Sequence, residues 1–416
     1  MFNDRISNYF EGVAAKYLSA VDADPGRSHQ HEIGGLPAVG FRRFLGEPGK
    51  EEEFRFPAKQ IYITDDSEVP EIAEGFVTWY DCRRKQPHRG PEYRLYYLNN
   101  AVTAQLSAGD FFLIAKMRDG SLLMVFTPPG STVESQLKAL FGLDNVYERF
   151  QPGTLDAVHL MLPLRLMLED LGIDIARPEV GDDEWLRQLI DEFGGQQFPG
   201  TAGFSTFARR SLVDAVDPLV QPDDALMAWM DHEEKLFRIY ERHLVQQRLR
   251  SGFGEQGDDV DEFVSFSLSV QNRRKSRVGH AFEGHLDHLF RLNGLRFEQG
   301  RGKGKVTENN AKPDFLFPDF ASYHDPAFPA ARLHMLGAKT TCKDRWRQVL
   351  SEAARISVKH LVTLEAAISE SQTREMQAHH LQLVVPLSVQ ATYSPEQRVW
   401  LVSMLDFIDE IRSVPQ

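Results

Sequence analysis

The sequence predicts a two-domain protein of the α+β or α/β class. Its 416 residues suit two or three domains, at about 100–200 residues for each domain. The first part of the chain carries short β-like runs separated by Gly, Pro and Asp. The second part alternates strand-like and helix-like patterns, which is typical of a sheet layered with helices. Hydrophobic residues make up 42% and charged residues 26% of the chain, as in ordinary globular proteins.

Residues 1–175 are predicted to form a β-barrel or sandwich preceded by a helix. Helical periodicity from Ile6 to Val21 predicts that opening helix. The runs that follow alternate and are bounded by turn residues, which favours strands. The predicted strands are Gln60–Thr64, Tyr93–Leu98, Phe111–Lys116 and Leu122–Phe126.

Residues 176–200 are predicted to be a linker and the start of a helical region. The polar run Arg177–Asp183 leads into a helix over Trp185–Phe193. Gly194-Gly195 follows it, as glycine often follows the last turn of a helix.

Residues 201–416 are predicted to form the second domain. Long helices are expected over Asp223–Leu249 and Asp261–Leu292. Beyond them strands alternate with helices, which indicates parallel strands. The strands are Phe315–Phe317, Leu333–Thr340, His360–Leu364 and Leu381–Pro386, and the helices are Asp344–Ile356 and Glu370–His379. Ser394, Pro395 and Gln397 predict a capped start for the last helix.

Composition excludes several classes of protein. No apolar run reaches the 18 or so residues of a membrane span, and the N-terminal residues do not resemble a secretory signal. Cys82 and Cys342 are the two cysteines, which favours a reducing cytoplasm over a disulfide framework. No Walker A sequence is present, so we expect no use of ATP.

Basic residues concentrate in two places, although the formal net charge is −13. Residues 271–305 hold nine Lys and Arg against three acids. A smaller cluster, Arg83-Arg84-Lys85, lies among aromatic residues. Such clusters suit contacts with DNA phosphates. They are also typical of solvated surfaces, and the smaller cluster taken alone favours a solvated hairpin tip. At this point both interpretations stay open.

Asp314, Lys339 and Glu352 form a candidate catalytic set. Asp314 precedes a short apolar strand, and Lys339 ends the next one. Two carboxylates can hold Mg²⁺, which binds oxygen and keeps waters, and a lysine beside them can stabilise developing charge. This is the outline of a PD-(D/E)XK nuclease site, except that Gly337 stands where the usual second acid would be. Each of these residues alone is also consistent with a plain surface charge.

Three strings around these residues resemble the EcoRII family of restriction endonucleases. The resemblance is dense over about residues 260–386, thinner toward the C-terminus, and faint but collinear in the first half. The strings are Ser269–Arg277 with Gly279 and Glu283, Lys312–Pro318 with Tyr323-His324-Asp325, and Lys339–Gln348. The resemblance implies a restriction-endonuclease-like domain with a central mixed sheet.

The same resemblance implies roles for individual residues. Asp314 and Glu352 would hold Mg²⁺, with the second acid moved to the helix, and Lys339 would be the catalytic lysine. Glu283 matches a further family acid. The implied base-reading residues are Lys343, Asp344 and Arg345, and the implied phosphate or cleft residues are Arg274 and Arg277. Lysine and arginine donate to guanine in the major groove, and aspartate accepts from cytosine.

The first half resembles the N-terminal effector domain of this family, a B3-like pseudobarrel that binds DNA. The candidate DNA-binding residues are Lys16, His29, Gln30, Arg83, Arg84, Lys85 and Arg94. The arm at about Trp79–Asn100 departs from the family pattern, so what this domain would recognise stays open.

We therefore expect a prokaryotic, cytoplasmic, Mg²⁺-dependent type II restriction endonuclease. It would cut double-stranded DNA as a homodimer at a CC…GG-type site. The N-terminal domain would bind a second DNA copy or inhibit cleavage, and a companion methyltransferase would exist without being a physical partner. Two alternatives remain: an endonuclease that requires methylated DNA, and a DNA-binding regulator without catalysis.

Overall fold

The chain forms two compact units in a computed structural model that describes residues 5–23, 31–67, 69–86, 88–155, 161–173, 181–212, 216–342 and 345–414. The N-terminal unit contains Asn3–Ile175 and the segment Ala366–Thr373. The second unit contains Met1–Phe2, Ala176–Glu365 and Arg374–Gln416. In the described part of the chain, no helix has the length and apolar character needed to cross a membrane.

The N-terminal unit is built on an eight-stranded sheet. The strands are β1 (Phe10–Tyr17), β2 (Glu32–Ile33), β3 (Phe54–Tyr62), β4 (Glu71–Asp81), β5 (Tyr93–Tyr97), β6 (Phe111–Met117), β7 (Leu122–Thr127) and β8 (Gln151–Pro152). Their order is β2-β5-β4-β3-β7-β6-β1-β8. The β3–β7 pair is parallel and the other pairs are antiparallel, so the sheet is mixed.

Short helices complete this unit. The α-helices are α1 (Ala20–Ala23), α2 (Arg42–Leu45), α3 (Thr132–Phe141) and α4 (Leu162–Asp170), and the 3₁₀ helices are Ile6–Asn8, Leu36–Val39 and Thr103–Gln105. Ser131 caps α3 by accepting a hydrogen bond from the backbone N–H of Glu134. The core includes Trp79 and Phe112, both fully buried.

The predicted opening helix over Ile6–Val21 is wrong. Half of this stretch is β1, which pairs with β6 on one side and with β8 on the other. Five consecutive residues from Gly12 to Lys16 are buried, so both faces of the strand are covered. A strand buried on both faces loses the alternation that marks a half-exposed strand. The strands predicted at Tyr93, Phe111 and Leu122 are confirmed.

The second unit begins with four helices. They are α5 (Asp182–Phe193), α6 (Thr201–Arg210), α7 (Pro222–Ser251) and α8 (Val260–Leu292). The two long predicted helices are therefore confirmed. Apolar residues of α5, α6 and α7, among them Leu189, Phe207 and Tyr240, pack into one buried cluster.

A four-stranded sheet follows, in the order β12-β11-β10-β9. Its strands are β9 (Phe315–Phe317), β10 (His334–Lys339), β11 (Lys359–Thr363) and β12 (Leu381–Val384). The β10–β11 and β11–β12 pairs are parallel, as predicted, and β9 runs antiparallel to β10. The sheet is therefore mixed.

The remaining helices are short. They are α9 (Phe320–His324), α10 (Trp346–Leu350), α11 (Glu370–Ala378), α12 (Leu387–Gln390), α13 (Pro395–Arg398) and α14 (Met404–Ser413), with 3₁₀ helices at Glu308–Asn310 and Ala330–Arg332. The predicted capping box at Ser394 and Gln397 is present, but it opens α13, and the last helix is α14.

The helix predicted over Asp344–Ile356 is much shorter than expected. It is α10, which ends at Leu350. Glu352 therefore lies in the turn after this helix and not on it. Its backbone N–H still donates to the carbonyl of Val349, at 3.1 Å.

Candidate active site

Two paired strands bring Asp314 and Lys339 together. Asp314 immediately precedes β9, and Lys339 is the last residue of β10. These strands are antiparallel, with Phe315 opposite Leu336. Both are lined by buried apolar residues, which fixes their register because a slip of one residue would expose them. The register alone therefore places the aspartate beside the end of β10.

Hydrogen bonds complete this pairing. Asp314 Oδ2 accepts from the backbone N–H of Ala338 at 2.7 Å and from Lys339 Nζ at 2.8 Å. Both side chains are about four-fifths covered. Asp314 and Lys339 therefore form a preorganised ion pair at the edge of the sheet.

The missing acid at position 337 has a steric reason. A Cβ atom on Gly337 would lie 3.0 Å from a side-chain methyl of Val349 on α10 and 3.4 Å from one of Leu361 on β11. The helix packs so closely over β10 that any side chain at this position would require Val349 to shift. The second acid has to come from another element.

Glu352 is in a position to supply that acid. It is partly buried, and its Oε2 atom is buried with no hydrogen-bond partner. Burial, and after it the negative charge of Asp314, raise the pKa of Glu352 to about 7, while Lys339 and Lys359 act in the opposite direction. The carboxylate is thus close enough to Asp314 for their charges to interact.

These residues fit a divalent cation. Within the described ranges no three His, Cys, Asp or Glu side chains are arranged as a metal site, so a site enclosed by protein ligands alone is not formed there. Mg²⁺ commonly binds through one or two carboxylates and retains its waters. A buried carboxylate oxygen without a partner, beside a second carboxylate, suits such an ion.

The Glu352→Gln variant is expected to stabilise the metal-free protein at pH 8 and to have little effect at pH 5. The folded-state pKa of Glu352, about 7, lies above its ordinary value of 4.5. The folded chain therefore keeps a proton that the unfolded chain loses as the pH rises from about 4.5 to 7, and stability falls over that window. The neutral amide of the variant would carry no such cost. Thermal unfolding of the variant and of the wild type at pH 5 and pH 8 measures this difference in stability.

The control for this prediction is Glu375→Gln, at an exposed ion pair with Arg347. Exposed pairs contribute about 0–1 kcal/mol, so a small and opposite effect is expected there. A Glu352→Gln protein that melts below the wild type at pH 8 would show that the charged carboxylate is stabilised by the fold.

Glu283 and the basic residues of α8 have other partners. Glu283 forms an ion pair with Arg301, so its catalytic role stays a prediction. Arg277 is 7% exposed, and its guanidinium pairs with two glutamates of α7, Glu233 at 3.0 Å and Glu234 at 2.7 Å. The guanidinium is thus already paired inside the helical layer, and its predicted role as a phosphate or cleft residue stays a prediction.

Arg274 is in a similar position but less enclosed. Its guanidinium pairs with the buried Glu241 of α7, and its own side chain is 38% exposed. The helix-to-helix ion pairs explain why these arginines follow one another at helical spacing. Arg274 stays a candidate cleft residue, and any contact with DNA would have to coexist with its ion pair to Glu241.

The predicted base-reading motif is only partly described. Lys343 and Asp344 lie outside the described residues. Arg345 is exposed and its Nη2 atom donates to Thr341 Oγ1 at 3.4 Å. Just before the motif, the backbone N–H of Cys342 donates to the buried Glu365. The start of this segment is therefore attached to the end of β11.

Most candidate DNA-binding residues of the N-terminal unit are paired with acids. Lys16 is 4% exposed and its Nζ atom lies 2.7 Å from Asp22, and its role in binding DNA stays a prediction. The remaining pairs are Arg83 with Glu92, Arg84 with Glu53, and Arg94 with Glu32 and Glu92. Lys85 is exposed. His29 and Gln30 lie outside the described residues.

Sequence reasoning missed the side chains that surround the Glu352 turn. Tyr323 lay in one of the family-like strings, but no role followed from it. Its hydroxyl donates to both carboxylate oxygens of Glu308, at 2.7 and 2.6 Å. Lys359 also acts electrostatically on Glu352. No spacing rule connects these positions, because they approach Glu352 only in the folded chain.

One carboxylate and a lysine at adjoining strand ends, with a second carboxylate from a nearby turn, are a donor set typical of the metal-dependent nuclease class. Residues 237–408 match the family model described as EcoRII C terminal. Over 192 residues it is 44% identical to the type II restriction enzyme EcoRII of Escherichia coli. This match covers 46% of this chain and 46% of that enzyme, so it spans about half of the relative's length.

Solved structures of restriction endonucleases bound to DNA are also similar. Metal-depleted Ecl18kI with uncleaved DNA is 18% identical, with a TM-score of 0.44 over 56% of this chain and 84% of that one. The PspGI–substrate DNA complex is 16% identical, with a TM-score of 0.40 over 58% of this chain and 97% of that one. Likenesses at this level do not assign a function.

Proposed function

We propose that the protein is a type II restriction endonuclease that hydrolyses both strands of DNA with Mg²⁺ as cofactor. The observation that carries the proposal is the convergence of Asp314, Lys339 and Glu352 inside a domain of the EcoRII C-terminal family. The 44% identity to EcoRII supports the same conclusion. The presence of both acids and the lysine argues against a regulator without catalysis.

The chemistry follows from the positions of the three residues. Asp314 and Glu352 would hold the cation, which would polarise a phosphate oxygen and acidify a water. Glu352 must be ionised to bind it, so its raised pKa makes the site more responsive to pH near 7. Lys339, paired with Asp314, would stabilise the negative charge that develops on the phosphate.

The substrate would be a short site with outer C·G pairs, of the CC…GG kind, cut to leave 5′-phosphates. Lys343, Asp344 and Arg345 would read the bases. A site with two-fold symmetry suits a two-fold symmetric protein, so the acting form would be a homodimer. The N-terminal unit, as a B3-like domain, would bind a second DNA copy or inhibit cleavage.

Sequencing the fragment ends of digested genomic DNA tests this substrate. We expect ends with 5′-phosphates, all within CC…GG-type sites, from unmethylated DNA and none from DNA methylated at the cytosines of CC(A/T)GG. Cleavage of methylated DNA alone would replace the proposal with a modification-dependent endonuclease. Ends scattered over unrelated sequences would refute the assigned base-reading residues.

A further inference from the structure

Glu352 lies in a turn whose backbone is fixed by side chains from a distant segment. The next three amide groups of the chain each donate to one of these side chains. Ala353 donates to Thr307 Oγ1 at 3.3 Å, Ala354 to Glu308 Oε2 at 3.1 Å, and Arg355 to the hydroxyl of Tyr323 at 3.3 Å. We call Thr307, Glu308 and Tyr323 the cradle.

The members of the cradle are themselves fixed. Tyr323 is 1% exposed and donates its hydroxyl hydrogen to the Glu308 carboxylate. Burial and this hydrogen bond raise the pKa of Tyr323 to about 12, so the hydroxyl remains a donor at neutral pH. Thr307 is buried, and its backbone N–H donates to the carbonyl of Ala311 at 2.8 Å.

The side chain of Arg355 attaches the end of the turn to the same segment. Its guanidinium donates to the carbonyls of Tyr323, Asp325 and Phe328, the last two at 2.8 Å. Arg355 thus bonds the turn to the region 323–328 through both its backbone N–H and its side chain. A rotation of the turn would break several of these bonds together.

The cradle holds a backbone shape that the chain would otherwise avoid. Ala353 has a φ of 49°, in the left-handed region that side chains other than glycine rarely adopt. Ala353 is fully buried. The strained residue comes directly after Glu352, so the hydrogen bonds to the cradle fix the direction in which the Glu352 carboxylate points.

We propose that Thr307, Glu308 and Tyr323 are positioning residues that orient Glu352 toward a divalent cation shared with Asp314. The inference rests on the proposed function for the identity of the cation site. It adds three residues that do not touch the cation and act through the turn after Glu352. Groups that orient metal ligands commonly change metal affinity by about 10–100-fold when removed.

Mn²⁺ binding by the full chain, followed by electron paramagnetic resonance of free Mn²⁺, tests the proposal. The Mn²⁺ site of interest is the one that is present in the wild type and absent from an Asp314→Ala variant. Tyr323→Phe removes the hydroxyl and keeps the ring, and we expect it to weaken Mn²⁺ binding by about 10–100-fold. Tyr240→Phe is the matched control, because this buried tyrosine bonds Gly195 and Gln197 in the helical cluster. Its Mn²⁺ affinity should equal that of the wild type.

The exposed Glu308 provides a second variant that does not disturb a buried ring. Glu308→Ala should weaken Mn²⁺ binding, whereas Glu308→Gln, which keeps an acceptor for Ala354, should restore part of it. In cleavage assays Tyr323→Phe should raise the Mg²⁺ concentration for half-maximal rate more than it lowers the rate at saturating Mg²⁺. A merely destabilised protein would not show this split.

The outcomes separate the two hypotheses. Wild-type and Tyr323→Phe proteins that bind Mn²⁺ equally, within about twofold, would overturn the positioning role and leave the proposed function standing. A wild type that binds no Mn²⁺ at the Asp314 site would overturn both. Loss of Mn²⁺ binding in Tyr323→Phe and Glu308→Ala, with Tyr240→Phe unaffected, would establish the cradle.

Discussion

Replacing Asp314 with alanine is expected to lower the rate of DNA cleavage by at least about 1000-fold, equal to about 4 kcal/mol. The variant loses one of the two carboxylates proposed to hold the cation. It also removes the acceptor for Lys339 Nζ and for the Ala338 amide. Both the cation and the lysine would therefore lose their fixed positions.

The same variant should still bind DNA. Asp314 carries a negative charge close to where a phosphate would lie, so its removal lowers repulsion. Cleavage is measured with Mg²⁺, and binding is measured by gel shift in EDTA. Asp191→Ala, at an exposed residue of α5, is the control and should cut like the wild type. An Asp314→Ala protein that cuts at a rate within tenfold of the wild type would place the active site elsewhere.

Replacing Lys339 with alanine has the second largest expected effect. Removing one group that stabilises transition-state charge costs roughly 10²–10³-fold in rate, and we expect a loss of that size or greater. Lys339 also lowers the pKa of Glu352, so the rate that remains should shift its pH dependence to higher pH. Single-turnover cleavage over pH 6–9 measures both effects.

Measurements of DNA binding distinguish the role of Lys339 from that of the proposed base-reading residues. Lys339→Ala should leave affinity for the site largely intact, whereas Lys343→Ala should relax or abolish the choice of site. Lys339→Arg keeps the charge with a different shape, since a planar guanidinium does not replace a compact ammonium. It should remain strongly impaired. Loss of site binding in Lys339→Ala with normal binding in Lys343→Ala would mean that the two roles are exchanged.

The second half of the fold was largely predictable because its patterns are local. The long helices α7 and α8 show helical periodicity over many turns, and the short apolar runs of β9 to β12 are separated by clear breaks. β1 was not predictable in this way. It is covered on both faces, and a Cβ atom on Gly12 would collide with the ring of Phe44, a contact that no periodicity reveals.

The candidate site shows the same division between local and long-range information. Asp314 and Lys339 could be predicted as site residues because each lies beside a short apolar strand. The end of α10 could not be predicted from the sequence, because neither glycine nor proline stands at 351–353 to stop the helix. It ends where Thr307, Glu308 and Tyr323 accept the amides of the turn. These residues lie about 30 to 46 positions earlier in the chain.

Partners far along the chain also decide which of the predicted DNA-contact arginines are paired with acids. Arg277 belongs to a basic run in the sequence, but it pairs with Glu233 and Glu234 on α7. Arg84 pairs with Glu53 in the N-terminal unit. A sequence shows where basic side chains cluster. Only the fold shows which of them are paired with acids.

Plasmid cleavage tests the central claim most directly. Unmethylated supercoiled plasmid that contains CC(A/T)GG sites is incubated with the full chain, with Mg²⁺ or with EDTA, beside the Asp314→Ala protein. We predict linear and fully digested DNA with the wild type and Mg²⁺, and intact plasmid in the other two reactions. An intact plasmid in all three, with methylated DNA equally resistant, would contradict the assignment of this chain as a restriction endonuclease.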